Sequence, residues 1–178
     1  MKQWPLHVAG TALTAVVVVA ALHLYFDMQE AVQQVPPASM EAAVVPDFTL
    51  PDASGNDVVL SKVAARVRVV NFWASWSPYS RNELAALARL KHAYGSDIEV
   101  VALDRDKTPA EGRAFIASLD LGPGLIFVYD HDDTYYRKVG GYNMPETLFI
   151  DTDGSVLMHV HGPMSEESMQ AELDQLLQ

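Results

Sequence analysis

The chain has 178 residues and is acidic, with 23 aspartates and glutamates against 12 lysines and arginines and a formal net charge of −11. Such a surface repels phosphates rather than neutralising them, which excludes a nucleic-acid partner. There is no cysteine, so disulfides, thiolate catalysis, iron–sulfur clusters and cysteine-ligated zinc are excluded as well.

From Gln3 to Phe26 no residue carries a fixed charge. A helix over Leu6 to Phe26 would be about 31 Å long at ~1.5 Å per residue, the thickness of a bilayer's hydrocarbon core. Lys2 precedes this run, Asp27 and Glu30 follow it, and Trp4, Tyr25 and Phe26 stand where interfacial aromatics belong. The N-terminus is therefore expected inside and the rest of the chain on the periplasmic side of the cell membrane, held by a single pass. A cleaved signal peptide is the competing reading, but His23-Leu24-Tyr25-Phe26-Asp27 offers no small-x-small cleavage pattern. Residues 1–28 are read as a signal-anchor and 29–45 as a tether interrupted by Pro36-Pro37, leaving 46–178 as one folded domain.

Beyond Pro46 short apolar runs alternate with turn residues. Phe48–Leu50 and Val58–Leu60 flank Asp52-Ala53-Ser54-Gly55-Asn56-Asp57, which predicts an N-terminal hairpin. Val67–Phe72, Ile98–Leu103 and Leu125–Tyr129 read as buried strands. Between them, Asn82–Tyr94 and Pro109–Leu119 carry apolar residues at helical spacing, among them Leu84, Leu87, Leu90, Phe115, Ile116 and Leu119. Strands alternating with helices predict βαβ units and a partly parallel sheet. Glu146–Ile150 and Ser155–Val160 form a closing hairpin around Asp151-Thr152-Asp153-Gly154, and Ser165 caps a final amphipathic helix to Leu177 with Glu166 and Glu167 in its first turn.

At the junction of the first long strand and helix stands Asn71-Phe72-Trp73-Ala74-Ser75-Trp76-Ser77-Pro78-Tyr79-Ser80-Arg81-Asn82-Glu83. This segment resembles the active site of TlpA/ResA-type thioredoxin-like proteins of the redoxin/AhpC-TSA-like superfamily, where N-F-W-A-x-W leads into C-x-x-C and a following glutamate. The resemblance extends to Asn143-Met144-Pro145-Glu146-Thr147 and to Ile150-Asp151-Thr152-Asp153-Gly154. It implies an α/β thioredoxin fold, a central mixed sheet flanked by helices, with a β-hairpin extension and the membrane helix at its N-terminus. It also implies that Pro145 is in the cis form beside the redox pair.

By that resemblance Ser77 stands at the nucleophile position, Ser80 at the resolving position and Glu83 at the proton-handling position. A cysteine at a helix N-terminus has its thiolate stabilised by the helix dipole and free N–H groups, and a second thiol one turn on resolves the mixed disulfide. A serine hydroxyl forms no disulfide, and a dipole worth ~0.3–1 kcal/mol does not ionise it near neutrality. No catalytic residue is therefore expected. Serine-hydrolase chemistry at Ser77 would need a histidine base, and His92, His131, His159 and His161 are all assigned to other regions.

The resemblance also implies a groove lined by Trp73, Trp76, Pro78, Tyr79, Met144 and Pro145, where an extended polypeptide pairs with the loop before the proline. Trp73 as a core residue and Trp76 as a remnant is the competing reading. His159 and His161, two apart on one strand between Met158 and Met164, project to one face, but no third ligand is indicated, so neither a metal nor a cofactor is expected. The function expected is a redox-inert binding or scaffold module for a protein or peptide partner outside the cytoplasm. The alternative is a TlpA/ResA-type thiol–disulfide oxidoreductase, acting in cytochrome c maturation or envelope redox, whose C-P-Y-C cysteines are replaced by serine in this chain.

Overall fold

A computed structural model describes residues 43–178. The expected signal-anchor over 1–28 and nearly all of the tether lie outside the described residues. Among the described residues no helix is long and apolar enough to cross a membrane.

Val67–Trp73, the central strand β3, is buried at every position, as expected of a strand covered on both faces. Its two faces separate by alternation. Val70 and Phe72 join Phe48, Leu60, Val101, Leu103 and Leu148 on one side, while Val67 and Val69 join Leu87, Leu90, Val100 and Phe149 on the other. Around it are β1 (Thr49–Pro51), β2 (Asp57–Val59), β4 (Ile98–Asp104), β5 (Leu125–Tyr129), β6 (Glu146–Asp151) and β7 (Val156–His161). The main sheet runs β5-β4-β3-β6-β7; β3, β4 and β5 are parallel, and β6 is antiparallel to both β3 and β7. β1 and β2 form the separate antiparallel hairpin expected from the sequence.

Among the described residues four α-helices cover this sheet: α1 (Ser80–Tyr94), α2 (Pro109–Ala117), α3 (Thr134–Lys138) and α4 (Glu166–Leu176). Ala86, Leu87 and Leu90 of α1 meet Met169 and Leu173 of α4 over one face. Phe115 and Ile116 of α2 cover Trp73. α2 ends two residues before the expected Leu119, and α1 starts two residues before the expected Asn82, in both cases where the end frays into turns. The start of α2 is fixed by Pro109 in its first turn and by Glu111, whose carboxylate accepts from the Thr108 N–H (3.1 Å) and hydroxyl (2.9 Å). Ser165 caps α4 as expected, its hydroxyl accepting from the Ser168 N–H. The short α3 was not anticipated. The buried Asp130 carboxylate accepts from the Tyr135 and Tyr136 N–H groups at 3.1 and 2.9 Å and so organises this helix from outside it.

Candidate functional site

The C-terminal end of β3 delivers the chain into the turn Ala74–Tyr79, from which α1 departs. Two aspartates, Asp104 at the end of β4 and Asp106 just beyond it, hold this turn. The Ser75 N–H and hydroxyl donate to the Asp106 carboxylate at 3.0 and 2.9 Å, and the Asp106 N–H donates to Asp104 Oδ1 at 2.8 Å. Nothing in the sequence marks Asp106 for this role, because only the pairing of β3 with β4 brings the two loops together.

Ser77 and Ser80 are both buried and turned inward. The Tyr79 N–H donates to Ser77 Oγ (3.4 Å) and the Ala74 N–H donates to Ser80 Oγ (3.3 Å), so both hydroxyls act as local acceptors for the turn. Among the described residues no histidine hydrogen-bonds to either serine: His131 pairs with the Asp106 carbonyl, and His159 with Glu146. The base that hydrolytic chemistry requires is not assembled.

Glu83, one turn into α1, is 2% exposed. Its carboxylate accepts from Asn71 Nδ2 (3.2 Å) and from the Met164 N–H (3.0 Å), and Asn71 also donates to Thr147 Oγ1 (3.0 Å). Burial pushes its pKa up to about 7, and these two hydrogen bonds offset that only in part. One network thus ties β3, β6, α1 and the segment after β7 together around a carboxyl group held near neutrality. Beside it lies a cleft of about 460 Å³ lined by Tyr79, Asn82, Glu83, Arg89, Met164 and Glu166.

The expected groove residues divide. Trp76 is 62% exposed and Tyr79 49% exposed, Pro78 is exposed, Met144 is half-buried, and Pro145 is buried in a cis peptide bond with its carbonyl accepting from the Gly162 N–H. Trp73 does not line a surface. It is fully enclosed, stacked on Phe115 with centroids 5.6 Å apart and edge-on to Phe127 at 6.0 Å. The reason is strand parity: Trp73 shares a sheet face with Val69 and Asn71, and α2 closes over that end of it.

A second cluster lies across β6 and β7. Register sets Glu146 opposite His161, and alternation brings His159 to the same face. Glu146 is fully buried. Burial alone would raise its pKa, but donors from His159, Asn143, Tyr142 and Tyr136 bring it down to about 2. The sequence showed both histidines but not their third neighbour, which only the register supplies.

A parallel βαβ unit joined to an antiparallel hairpin, with a helix starting at a C-x-x-C-like position across from a cis-proline, defines a thioredoxin-like protein. The family model described as Redoxin matches residues 40–177, and the chain belongs to that family. It is 27% identical over 156 residues to the thiol:disulfide interchange protein DsbE of Allochromatium vinosum, covering 86% of this chain and 84% of that one. It is 24% identical over 132 residues to the thiol-disulfide oxidoreductase ResA of Bacillus thuringiensis, covering 74% of this chain and 75% of that one. Among solved structures it superposes on a Chlorobium tepidum protein assigned as a thiol:disulfide interchange protein DsbE, with a TM-score of 0.71 and 26% identity over 77% of this chain and 97% of that one.

Proposed function

We propose that this chain is a membrane-tethered, extracytoplasmic member of the redoxin family that binds extended polypeptide and performs no thiol–disulfide exchange. The observation that carries this reading is the pairing of Ser77 and Ser80, inward-facing and without a base, with an exposed rim of Trp76, Pro78 and Tyr79. Exchange needs a thiolate that attacks and a thiol that resolves. Polypeptide capture needs only the rim and the loop at Met144-Pro145, and aromatic side chains supply much of the binding energy in such contacts.

The test is to add an unlabelled, cysteine-free extended peptide to the isotopically labelled full chain in detergent and follow amide shifts. Changes should gather at residues 76–79 and 143–145, and W76A/Y79A should weaken binding at least tenfold. Shifts confined to other surfaces, or none at millimolar peptide, would refute the binding role.

A second reading, the thiol–disulfide oxidoreductase with cysteine at 77 and 80, draws support from Glu83, a buried acid poised near neutrality with no thiol to serve. The intact mass of the protein from its natural source separates the two: serine at both positions supports the first reading, cysteine at either supports the second.

A further inference from the structure

We propose that Glu146, His159 and His161 form a site for a divalent transition metal of the zinc type, with one coordination position left open. The three side chains each offer one ligand atom, and these atoms lie within 4.8 Å of one another. His159 Nε2 is 2.9 Å from Glu146 Oε2, and His161 Nδ1 is 3.1 Å from the same oxygen. In a tetrahedral zinc site with bonds of about 2.0–2.1 Å, neighbouring ligand atoms are roughly 3.4 Å apart. The two carboxylate–imidazole distances need widen by only a few tenths of an ångström to reach that spacing, and the two imidazole nitrogens lie within 4.8 Å of each other.

The two oxygens of Glu146 have different surroundings. Oε1 accepts from the Tyr136 hydroxyl (2.9 Å), the Tyr142 N–H (2.7 Å) and the Asn143 N–H. Among the described residues Oε2 faces only the two imidazoles. Three donors on one oxygen thus fix the carboxylate and aim the other oxygen at the histidines, which is how supporting hydrogen bonds orient a metal ligand. His161 Nδ1 is buried yet makes no hydrogen bond among the described residues, although it lies 3.1 Å from Oε2. A nitrogen in that position has its lone pair free for a cation once it is unprotonated.

The donor set selects the class of ion. Two imidazoles and one carboxylate suit zinc and its transition-metal neighbours, whereas calcium and magnesium require shells of oxygen. Access is through His161, whose side chain is 28% exposed and stacked against the exposed Tyr142 at a centroid distance of 4.2 Å. With three protein ligands, the open fourth position would take water or a donor from a bound partner.

The experiment is calorimetric titration of Zn2+ into the untagged, metal-stripped full chain, beside H159Q, H161Q, E146Q and the control H92Q, which alters an exposed helix residue. The expected result is one zinc bound per chain, with affinity reduced at least tenfold in H159Q and in H161Q and unchanged in H92Q. E146Q removes a buried hydrogen-bond acceptor and risks unfolding, so the decision rests on the two histidine variants, each checked for its unfolding midpoint. X-ray absorption of the loaded chain should show two imidazole ligands. Absence of binding by the folded chain, or binding that survives both histidine variants unchanged, overturns the site.

Discussion

Glu83 is enclosed by α1, Asn71 and the Met164 amide, and burial holds its carboxyl at about 7 against an ordinary 4.5. Below pH 4.5 the acid is protonated in both folded and unfolded chains. Between 4.5 and 7 the unfolded chain releases its proton while the folded chain keeps it, so stability falls as pH rises through this window, by up to about 3 kcal/mol. Urea unfolding of the wild type between pH 5 and 8 should show this decline, and E83Q, which cannot ionise, should flatten it; an equal slope in both would contradict the assignment. Glu83 is singled out only by its resemblance to the family's proton-handling position, and without thiols to serve it reads from sequence as a residue inherited on the helix; its burial and its two hydrogen bonds come from the fold. The importance of Asn71, which bridges Glu83 to Thr147, was not legible, because an asparagine inside a strand reads as a weak strand residue until its partners from β6 and α1 are in place.

At the level of elements, α2 carries a local conflict with a testable sign. Gly112 is buried in this helix, and a Cβ there would stand 1.6 Å from Asp104 Oδ2. Helix propensity alone favours alanine over glycine by ~1 kcal/mol. In this helix the close approach to β4 reverses the sign, and G112A should destabilise the domain by about 1–3 kcal/mol, seen as a lowered thermal midpoint. An unchanged or raised midpoint would show that Asp104 moves aside without cost. The displacement matters beyond stability, since Asp104 holds Asp106 and Asp106 holds the Ser75 turn.

The elements most readable from sequence were those with strong periodicity. The strand expected over Val67–Phe72 is present and runs one residue further to Trp73, the apolar spacing of Leu84, Leu87 and Leu90 falls on α1, and the capped start of α4 is at Ser165 as expected. α3 escaped notice because five residues do not complete a repeat and its support comes from Asp130, outside the helix. For Trp73 the family resemblance gave a groove position and the sequence also allowed a core one; the structure has it in the core, packed with Leu84, Ala102, Phe115 and Phe127.

At the scale of the whole molecule, the thioredoxin-like fold holds two buried hydroxyls, Ser77 and Ser80, where β3 turns into α1. The same domain has a cis Met144-Pro145 bond and a buried Glu83. The chain has no cysteine, and thiols are what exchange chemistry requires. Cysteine at 77 and 80 would replace two buried oxygens by larger atoms at the N-terminus of α1, where a thiolate is favoured by the helix dipole.

The most direct measurement is the rate at which the purified chain, freed of contaminating thiols, reduces a protein disulfide, run beside the S77C/S80C variant. The account predicts a wild-type rate equal to the protein-free blank and clear turnover by the variant. Measurable turnover by the wild-type chain would contradict it.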